Sequence, residues 1–280
     1  MLRELSLFLK TGFGWVLFVL LSLIWGILVV PLTRLLSRVW PSTLDRFSDL
    51  TRAGLRFYIA SLPFFRVEVS GPTHRDRIRV LVVNHQSWLD PIVMLSLEPR
   101  LSGPARGYMF RVPIVRSVMQ LAGFYPAEAG DPAPLARMRE GASGARRRGG
   151  GLLFFPEGTR SPDGEIAPFQ RGAFRVAYDH ALPIQPVVIE GLDRVLPPGR
   201  LLARMPGRYP VRIRYLPLVE PPFALEPLAP TALEPTRPTG SERRPTVRAL
   251  AARVHASMAK ELARMRAERA VEADRRTSPR

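Results

Sequence analysis

The longest apolar stretch of the chain lies near its N-terminus. Residues 11–33 contain no charged side chain, and leucine, valine, isoleucine, phenylalanine and tryptophan dominate them. At a rise of 1.5 Å per residue, a helix of about 23 residues reaches roughly 34 Å, which is enough to cross the apolar core of a bilayer. The pattern therefore predicts a membrane-associated helical segment, which either spans the bilayer or lies in it.

A cleaved signal peptide and a buried helix of a soluble domain are the alternatives for this segment. Arg3 and Lys10 precede the apolar run, as basic residues do in a signal peptide. The run is long for the apolar part of such a peptide, however, and no small-residue cleavage site appears before Pro31. We therefore favour a retained anchor.

Residues 44–62 repeat apolar side chains at helical spacing. The apolar face consists of Leu44, Phe47, Leu50, Leu55, Tyr58 and Ile59, whereas the arginines lie elsewhere on the helix. Such a helix either lies in the membrane interface or packs as an ordinary surface helix of the following domain. Residues 1–62 are thus expected to form an N-terminal membrane anchor and an amphipathic helix.

In residues 63–222, short apolar runs alternate with helical patterns. Residues 78–85 are almost continuously apolar, as a central strand buried on both faces should be. Residues 209–220 alternate, with Arg212 and Arg214 pointing outward, which favours an edge or half-exposed strand. Further strands are expected at 67–71, 151–158 and 183–191. This alternation predicts an α/β domain with a mostly parallel or mixed sheet flanked by helices.

The C-terminal part changes character twice. Residues 223–245 are rich in proline and predict a linker. Residues 246–280 predict a C-terminal amphipathic helix, capped by Thr246, and a basic tail. Its apolar face consists of Val247, Leu250, Val254, Met258, Leu262 and Met265.

Charge and cysteine content exclude some chemistries. The formal net charge is +17, which alone would suit nucleic acid or an anionic membrane. The arginines are spread along the chain without a compact basic stripe interleaved with aromatic residues, so nucleic acid is not an expected partner. The chain has no cysteine, which excludes disulfides, thiolate metal sites and a cysteine nucleophile.

A histidine and an aspartate follow the predicted central strand. Reactive groups in α/β sheets lie beyond the carboxyl ends of the strands, where His85 stands. Asp90 suits a helix N-cap and Pro91 a first helical position. If the turn folds back, Asp90 accepts a hydrogen bond from His85, fixes its tautomer and stabilises the imidazolium. A histidine that merely packs at a strand end is the alternative at this point.

A second polar loop, residues 154–161, also follows a buried strand. Gly158 permits a turn with positive φ, and Glu157 is an acceptor for a substrate hydroxyl or a positioning arginine. Thr159 and Arg160 offer donors to an anion, with Arg160 able to bind a phosphate in bidentate fashion. The alternative is an ordinary turn with a surface charge pair. Two such loops in one sheet predict a shared cleft.

Both loops resemble motifs of the glycerolipid acyltransferase family, the 1-acylglycerol-3-phosphate acyltransferase group with the His-x4-Asp motif. Residues 84–90 are similar to its first motif, residues 155–161 to its third and residues 183–188 to its fourth. The resemblance covers roughly residues 65–220. It implies that His85 is the general base on the acceptor hydroxyl and that Asp90 orients it. The acceptor's phosphate and glycerol would be held by Glu157, Gly158, Thr159 and Arg160.

The second motif of that family is matched only in part. Arg106 stands where the family commonly has a lysine, and Ala129 stands where it has an arginine that is expected to bind the acceptor phosphate. Arg106, Arg111 and Arg171 are the candidates to compensate, together with Arg116. An acceptor without a terminal phosphomonoester is the alternative.

The resemblance implies a membrane-bound O-acyltransferase of phospholipid synthesis. It would move a fatty acyl group from acyl-CoA or acyl carrier protein to the hydroxyl of 1-acylglycerol-3-phosphate, with no metal or redox cofactor. We expect a lyso-phospholipid acceptor and a membrane as partners. The expected location is the inner or cytoplasmic membrane, with the catalytic domain on its cytoplasmic side. The alternatives are acylation of another lyso-lipid, and a non-catalytic membrane-associated binding protein on the same fold.

Overall fold

The central sheet is mixed and lies between two layers of helices, which confirms the predicted α/β class. The computed structural model describes residues 2–128, 134–204, 207–221 and 240–277. The strands in these ranges are β1 (Phe65–Ser70), β2 (Val80–Val83), β3 (Gly103–Ala105), β4 (Phe124–Pro126), β5 (Leu152–Phe154), β6 (Ile184–Glu190) and β7 (Tyr209–Tyr215).

The helices of the described ranges surround this sheet. They are α1 (Leu2–Ile24), α2 (Val30–Leu36), α3 (Thr43–Ser61), α4 (Leu89–Leu97), α5 (Pro113–Leu121), α6 (Pro134–Arg148), α7 (Gly172–Asp179), α8 (Leu192–Val195) and α9 (Gly240–Thr277). A π-helical turn, Trp25–Val29, joins α1 to α2, and a 3₁₀ turn, Gly107–Arg111, precedes α5.

Five strands form the main sheet in the order β1–β7–β6–β2–β5. β7 runs antiparallel to β6, and the other neighbours are parallel. β3 and β4 form a separate parallel pair. All four residues of β2 are fully buried, as the unbroken apolar run predicted for a central strand. The parallel neighbours β5, β2 and β6 therefore present their carboxyl ends at one edge.

The alternating pattern of β7 has a cause other than an edge position. β7 lies between β1 and β6, so the edge interpretation was wrong and the half-exposed one is right. Arg214 donates to Glu268 of α9 at 2.9 Å, and Arg212 pairs with Glu272 of the same helix. The charged positions of β7 thus face a helix that neutralises them.

The two faces of the sheet carry separate apolar cores. Side chains from α6, α7 and α9 pack on one face, and side chains from α3, α4 and α8 pack on the other. The predicted apolar face of α9 is confirmed, because these of its residues are buried: Val247, Leu250, Val254, Met258, Leu262 and Met265. The helix begins at Gly240, inside the predicted linker, so Thr246 does not cap it. Residues 222–239 lie outside the described ranges.

The N-terminal segment Glu4–Leu36 is long and apolar enough to cross a membrane, and little of it is buried in the protein. It nevertheless lies along the α/β domain. The indole N–H of Trp25 donates to Thr51 of α3 at 3.0 Å, and Arg34 donates to Ser117 of α5 at 3.3 Å. The outer side of the segment leaves a row of large side chains exposed, namely Leu5, Phe8, Leu9, Phe13, Val16, Val19, Leu20, Ile27, Leu28, Leu32 and Leu35.

The amphipathic helix α3 packs as part of the domain. Phe47, Tyr58 and Ile59 are buried, and α3 lies against α4. Leu50, which the periodicity placed on the same apolar face, is 49% exposed. The surface-helix interpretation therefore accounts for the buried positions of α3.

Candidate active site

The end of β2 is fixed to the neighbouring strand by a buried amide. The side chain of Asn84 donates to the carbonyl of Ile189 at 2.9 Å and accepts from its N–H at 2.8 Å. This exchange extends the β2–β6 pairing by one residue beyond the last backbone pair. The next residue, His85, therefore leaves the carboxyl edge of the sheet in a defined direction, with its side chain 18% exposed.

His85 and Asp90 form a direct pair. Nδ1 of His85 lies 2.7 Å from Oδ2 of Asp90, whose side chain is fully buried. The same oxygen accepts the backbone N–H groups of Gln86 at 2.6 Å and Ser87 at 2.7 Å. A carboxylate accepts the hydrogen of Nδ1, so Nε2 is left as the ring nitrogen that can take a proton.

The helix start differs from the sequence expectation. α4 begins at Leu89, so Asp90 and Pro91 are its second and third residues rather than its N-cap and first residue. Trp88 occupies the N-cap position without a side-chain hydrogen bond, and the carboxylate of Asp90 turns back to the amides of the preceding loop. The fold-back that the His–Asp pair requires is nevertheless present.

The Asp90 carboxyl has no solvent to stabilise its charge. Burial raises its pKa, and the hydrogen bonds from His85, Ser87 and Gln86 act in the opposite direction. The ionised form therefore depends on these three donors. Among them, His85 alone can carry a compensating positive charge.

Glu157 joins the two polar loops. Its Oε1 accepts the backbone N–H of His85 at 2.8 Å, and its Oε2 accepts that of Ala167 at 3.0 Å. The residue is 6% exposed, and burial raises its pKa. A further bond runs from the N–H of Ser161 to the carbonyl of His85 at 2.8 Å. The two loops thus share one cleft, and Glu157 is better placed to hold His85 than to contact a substrate.

The rest of the second loop is open to solvent. Gly158 has φ +73°, and a Cβ there would lie 2.1 Å from the side-chain nitrogen of Gln170, so the position requires glycine. Thr159 and Arg160 are exposed. Within the described part of the chain, the Arg160 guanidinium forms no hydrogen bond or ion pair, which leaves its donors available to an anion.

Of the other candidate cations, Arg106 reaches this loop. Its guanidinium donates to the carbonyl of Gly158, and it lies 4.0 Å from Glu128, which also accepts the N–H of Gly107 at 2.8 Å. Arg111 and Arg171 are exposed, and neither side chain has a hydrogen bond to the loop within the described ranges. Ala129, the position of the missing arginine, lies outside them.

Aromatic contacts around His85 were not predicted from the sequence. The ring of Phe155 lies 4.4 Å from the imidazole, and Trp88 stacks on Trp15 of α1 at 4.9 Å with an interplanar angle of 10°. Trp88 belongs to the first family motif and Phe155 to the third, so their positions beside the polar site residues could have predicted that they lie near His85. The sequence around Trp15 could not have predicted its contact with Trp88, because stacking between residues far apart in the chain leaves no local pattern.

A family of known proteins matches the part of the chain that holds the cleft. The profile of the family described as Acyltransferase matches residues 66–190, a stretch that runs from β1 to β6 and contains both loops of the cleft. Residues 66–190 therefore match the acyltransferase family.

Relatives and a solved structure extend this comparison. A chloroplastic 1-acyl-sn-glycerol-3-phosphate acyltransferase of Brassica napus is 31% identical over 144 residues, which is 50% of this chain and 42% of that protein. The chain thus spans less than half of that relative. The alpha form from Mus musculus is 29% identical over 231 residues, 80% of this chain and 74% of that one. The crystal structure of the 1-acyl-sn-glycerophosphate acyltransferase PlsC from Thermotoga maritima shares the fold, with a TM-score of 0.66 at 19% identity over 95% of this chain and 98% of that chain.

The hydrogen bonds that Glu157 accepts from the backbone of His85 and Ala167 can be tested by substitution. Glu157→Gln places an amide NH₂ group against one of two backbone N–H groups, so a buried donor loses its acceptor. We expect the free energy of unfolding to fall by about 1–3 kcal/mol and kcat to fall with it. Denaturant unfolding and steady-state kinetics measure the two effects.

The matched control is Glu165→Gln, because Glu165 lies in the same loop and is exposed. It should change neither quantity to the same extent. Equal stability and equal kcat for the two variants would show that Glu157 does not hold His85 in place.

Proposed function

We propose that the chain transfers a fatty acyl group from acyl-CoA or acyl carrier protein to the hydroxyl of 1-acylglycerol-3-phosphate, a step of phospholipid synthesis. The observation that carries this is the His85–Asp90 pair, 2.7 Å apart, at the carboxyl edge of the sheet beside a loop with an exposed arginine. The relatives named for this reaction support the choice of substrate.

The geometry supports a single displacement. Nε2 of His85 takes the proton of the acceptor hydroxyl while its oxygen attacks the thioester carbonyl of the donor. Asp90 holds the imidazole through Nδ1 and stabilises its positive charge. When the tetrahedral intermediate collapses, the carbon–sulfur bond breaks and the leaving thiolate receives the proton from Nε2. Each proton and electron pair is accounted for without a metal or redox cofactor.

Two arginines are placed to hold the acceptor's phosphate. Arg160 is exposed, and its side chain has no partner within the described residues. The guanidinium of Arg106 donates to the carbonyl of Gly158, which precedes Arg160 by two residues. A phosphomonoester carries up to two negative charges and benefits from both cations. Arg106 therefore supplies the second cation that Ala129 does not.

This assignment predicts a selective effect of Arg106→Gln. Losing one charge-assisted hydrogen bond costs about 1.5–3 kcal/mol, so kcat/KM for 1-acylglycerol-3-phosphate should fall about ten- to a hundredfold. A phosphodiester acceptor such as lysophosphatidylcholine should lose less, because it carries one phosphate charge. Arg111→Gln is the control with an exposed arginine that does not bond the loop. An equal loss of kcat/KM for both acceptors would show that Arg106 does not bind the phosphate.

Acylation of another lyso-lipid is the second candidate, because Ala129 stands where the family commonly has a phosphate-binding arginine. A panel of acceptors separates the candidates. The purified chain is given labelled acyl-CoA, or acyl carrier protein in parallel, with 1-acylglycerol-3-phosphate or diester lysophospholipids, and the products are identified by mass spectrometry. We expect phosphatidic acid as the main product. Acylation of no acceptor would favour a non-catalytic binding protein.

The N-terminal segment supports association of the protein with a membrane. In this proposal the segment lies in the plane of the membrane surface. Contacts to the domain occur at Thr11, Trp25 and Arg34, so the apolar stretch lies on the α/β domain along most of its length. A segment held in this way presents its exposed apolar side to the bilayer and keeps the domain at the interface. We place the chain at the inner or cytoplasmic membrane, with the active site on the cytoplasmic side.

A further inference from the structure

A loop between α8 and β7 exposes two adjacent leucines. In residues 197–204, which we call the leucine loop, Leu201 is 67% exposed and Leu202 is 51% exposed. Neighbouring large apolar side chains at this level of exposure cost free energy in water, at about 25 cal/mol per Å² of apolar surface. Exposed apolar side chains that join a larger apolar patch are typical of an interaction site.

The leucine loop is attached to the N-terminal helix. The indole N–H of Trp15 donates to the carbonyl of Leu201 at 2.8 Å, and the N–H of Ala203 donates to the hydroxyl of Thr11 at 3.2 Å. An apolar cavity of about 240 Å³ lies between the two elements, lined by Phe8, Gly12, Trp15, Leu201 and Leu202. The exposed leucines are therefore continuous with the exposed apolar row of α1.

The other end of the leucine loop reaches the active-site loop. The hydroxyl of Ser87 donates to the carbonyl of Leu196 at 2.8 Å, directly before the leucine loop begins. Trp15, which bonds Leu201, also stacks on Trp88 of the same motif. A surface that contacts Leu201 and Leu202 thus lies close to the residues that follow His85.

Three arginines lie close to the two leucines in the sequence. Arg200, Arg204 and Arg208 are exposed, and none of their side chains has a hydrogen bond or ion pair with another described residue. Exposed leucines with unpaired arginines nearby in the chain are complementary to a bilayer with anionic headgroups, since the leucines enter the acyl region while the arginines bind lipid phosphates.

We propose that the leucine loop is a second membrane-inserting element, which docks on an anionic bilayer surface next to α1. It fixes the depth of the protein so that the loop after His85 lies at the headgroup level. The inference extends the proposed membrane association, and its test does not measure acyl transfer. Failure of the docking test and failure of the proposed reaction are therefore distinguishable.

The absence of cysteine from the chain makes a direct test possible. Leu202→Cys in the full chain carries an environment-sensitive fluorophore, and the protein is reconstituted into vesicles with or without lipids that bear a quencher on the acyl chain. The control is Val271→Cys, because Val271 is 52% exposed on α9, across the sheet from α1. Both positions are on the surface, so neither change disturbs the core.

We expect quenching at Leu202 to exceed quenching at Val271 by about threefold or more, as insertion of one site but not the other requires. Equal quenching at the two positions would overturn the proposal.

In a second arm, Arg200→Gln with Arg204→Gln should lower insertion into phosphatidylglycerol-containing vesicles by about fivefold per arginine, while Arg253→Gln on α9 leaves it unchanged. An unchanged double variant would show that the arginines do not bind the lipid phosphates.

Discussion

His85→Ala is expected to lower kcat for acyl transfer by about 10²–10⁴-fold, which is the usual contribution of a positioned general base. The side chain is only 18% exposed and its loss leaves the buried carboxylate of Asp90 without one donor, so the free energy of unfolding should fall by about 1–3 kcal/mol, too little to unfold the domain. Steady-state kinetics with a fixed donor and acceptor, together with denaturant unfolding, measure both effects.

A second histidine provides the control for this variant. His180 precedes β6, at the edge of the sheet opposite to the active site, and His180→Ala should retain the activity of the unmodified chain. Near-normal turnover by His85→Ala would show that another group deprotonates the acceptor.

Asp90→Asn is expected to lower the activity without lowering the stability of the fold. An amide either donates to Nδ1, which moves the hydrogen to Nε2 and removes the base, or accepts from it without the charge that stabilises the imidazolium. We expect kcat to fall by about 10²–10⁴-fold with little change in KM. Kinetics of the purified variant test this.

The stability of the same variant should stay the same or rise. Burial raises the pKa of Asp90, so folding disfavours its ionised form, and that unfavourable contribution grows as the pH rises above the unfolded-state pKa. The neutral amide does not carry it. Asp76→Asn, on an exposed loop before β2, is the control. A large loss of unfolding free energy in Asp90→Asn alone would mean that its lost activity reports misfolding.

The sequence predicted the elements whose signal is local. β2 and β5 were found because buried parallel strands are nearly continuous apolar runs, and the two loops were found because polar residues follow them. The apolar face of α9 followed from its period of 3.6 residues. By contrast, β3 and β4 have three residues each, and Gly103, Pro104 and Pro126 give no strand signal.

Contacts between distant residues account for what the sequence could not show. From the sequence alone, Glu157 is a candidate for contacting the substrate. Only the fold shows that its carboxylate accepts hydrogen bonds from the backbone N–H groups of His85 and Ala167. The start of α9 at Gly240 was missed because the stretch before it is proline-rich and typical of a linker, and the next proline of the chain is Pro245. The position of the N-terminal segment along the domain depends on pairs such as Trp15 with Trp88, which periodicity does not encode.

The most direct test of the account measures thiol release and acyl transfer together. The purified chain is incubated with labelled acyl-CoA, with and without 1-acylglycerol-3-phosphate, and coenzyme A release, labelled lipid and labelled protein are quantified. A single displacement that depends on His85 predicts one thiol released for each labelled phosphatidic acid, with no labelled protein, and almost no release without acceptor or in His85→Ala. Thiol release that is independent of the acceptor, or label that remains on the protein, would contradict it.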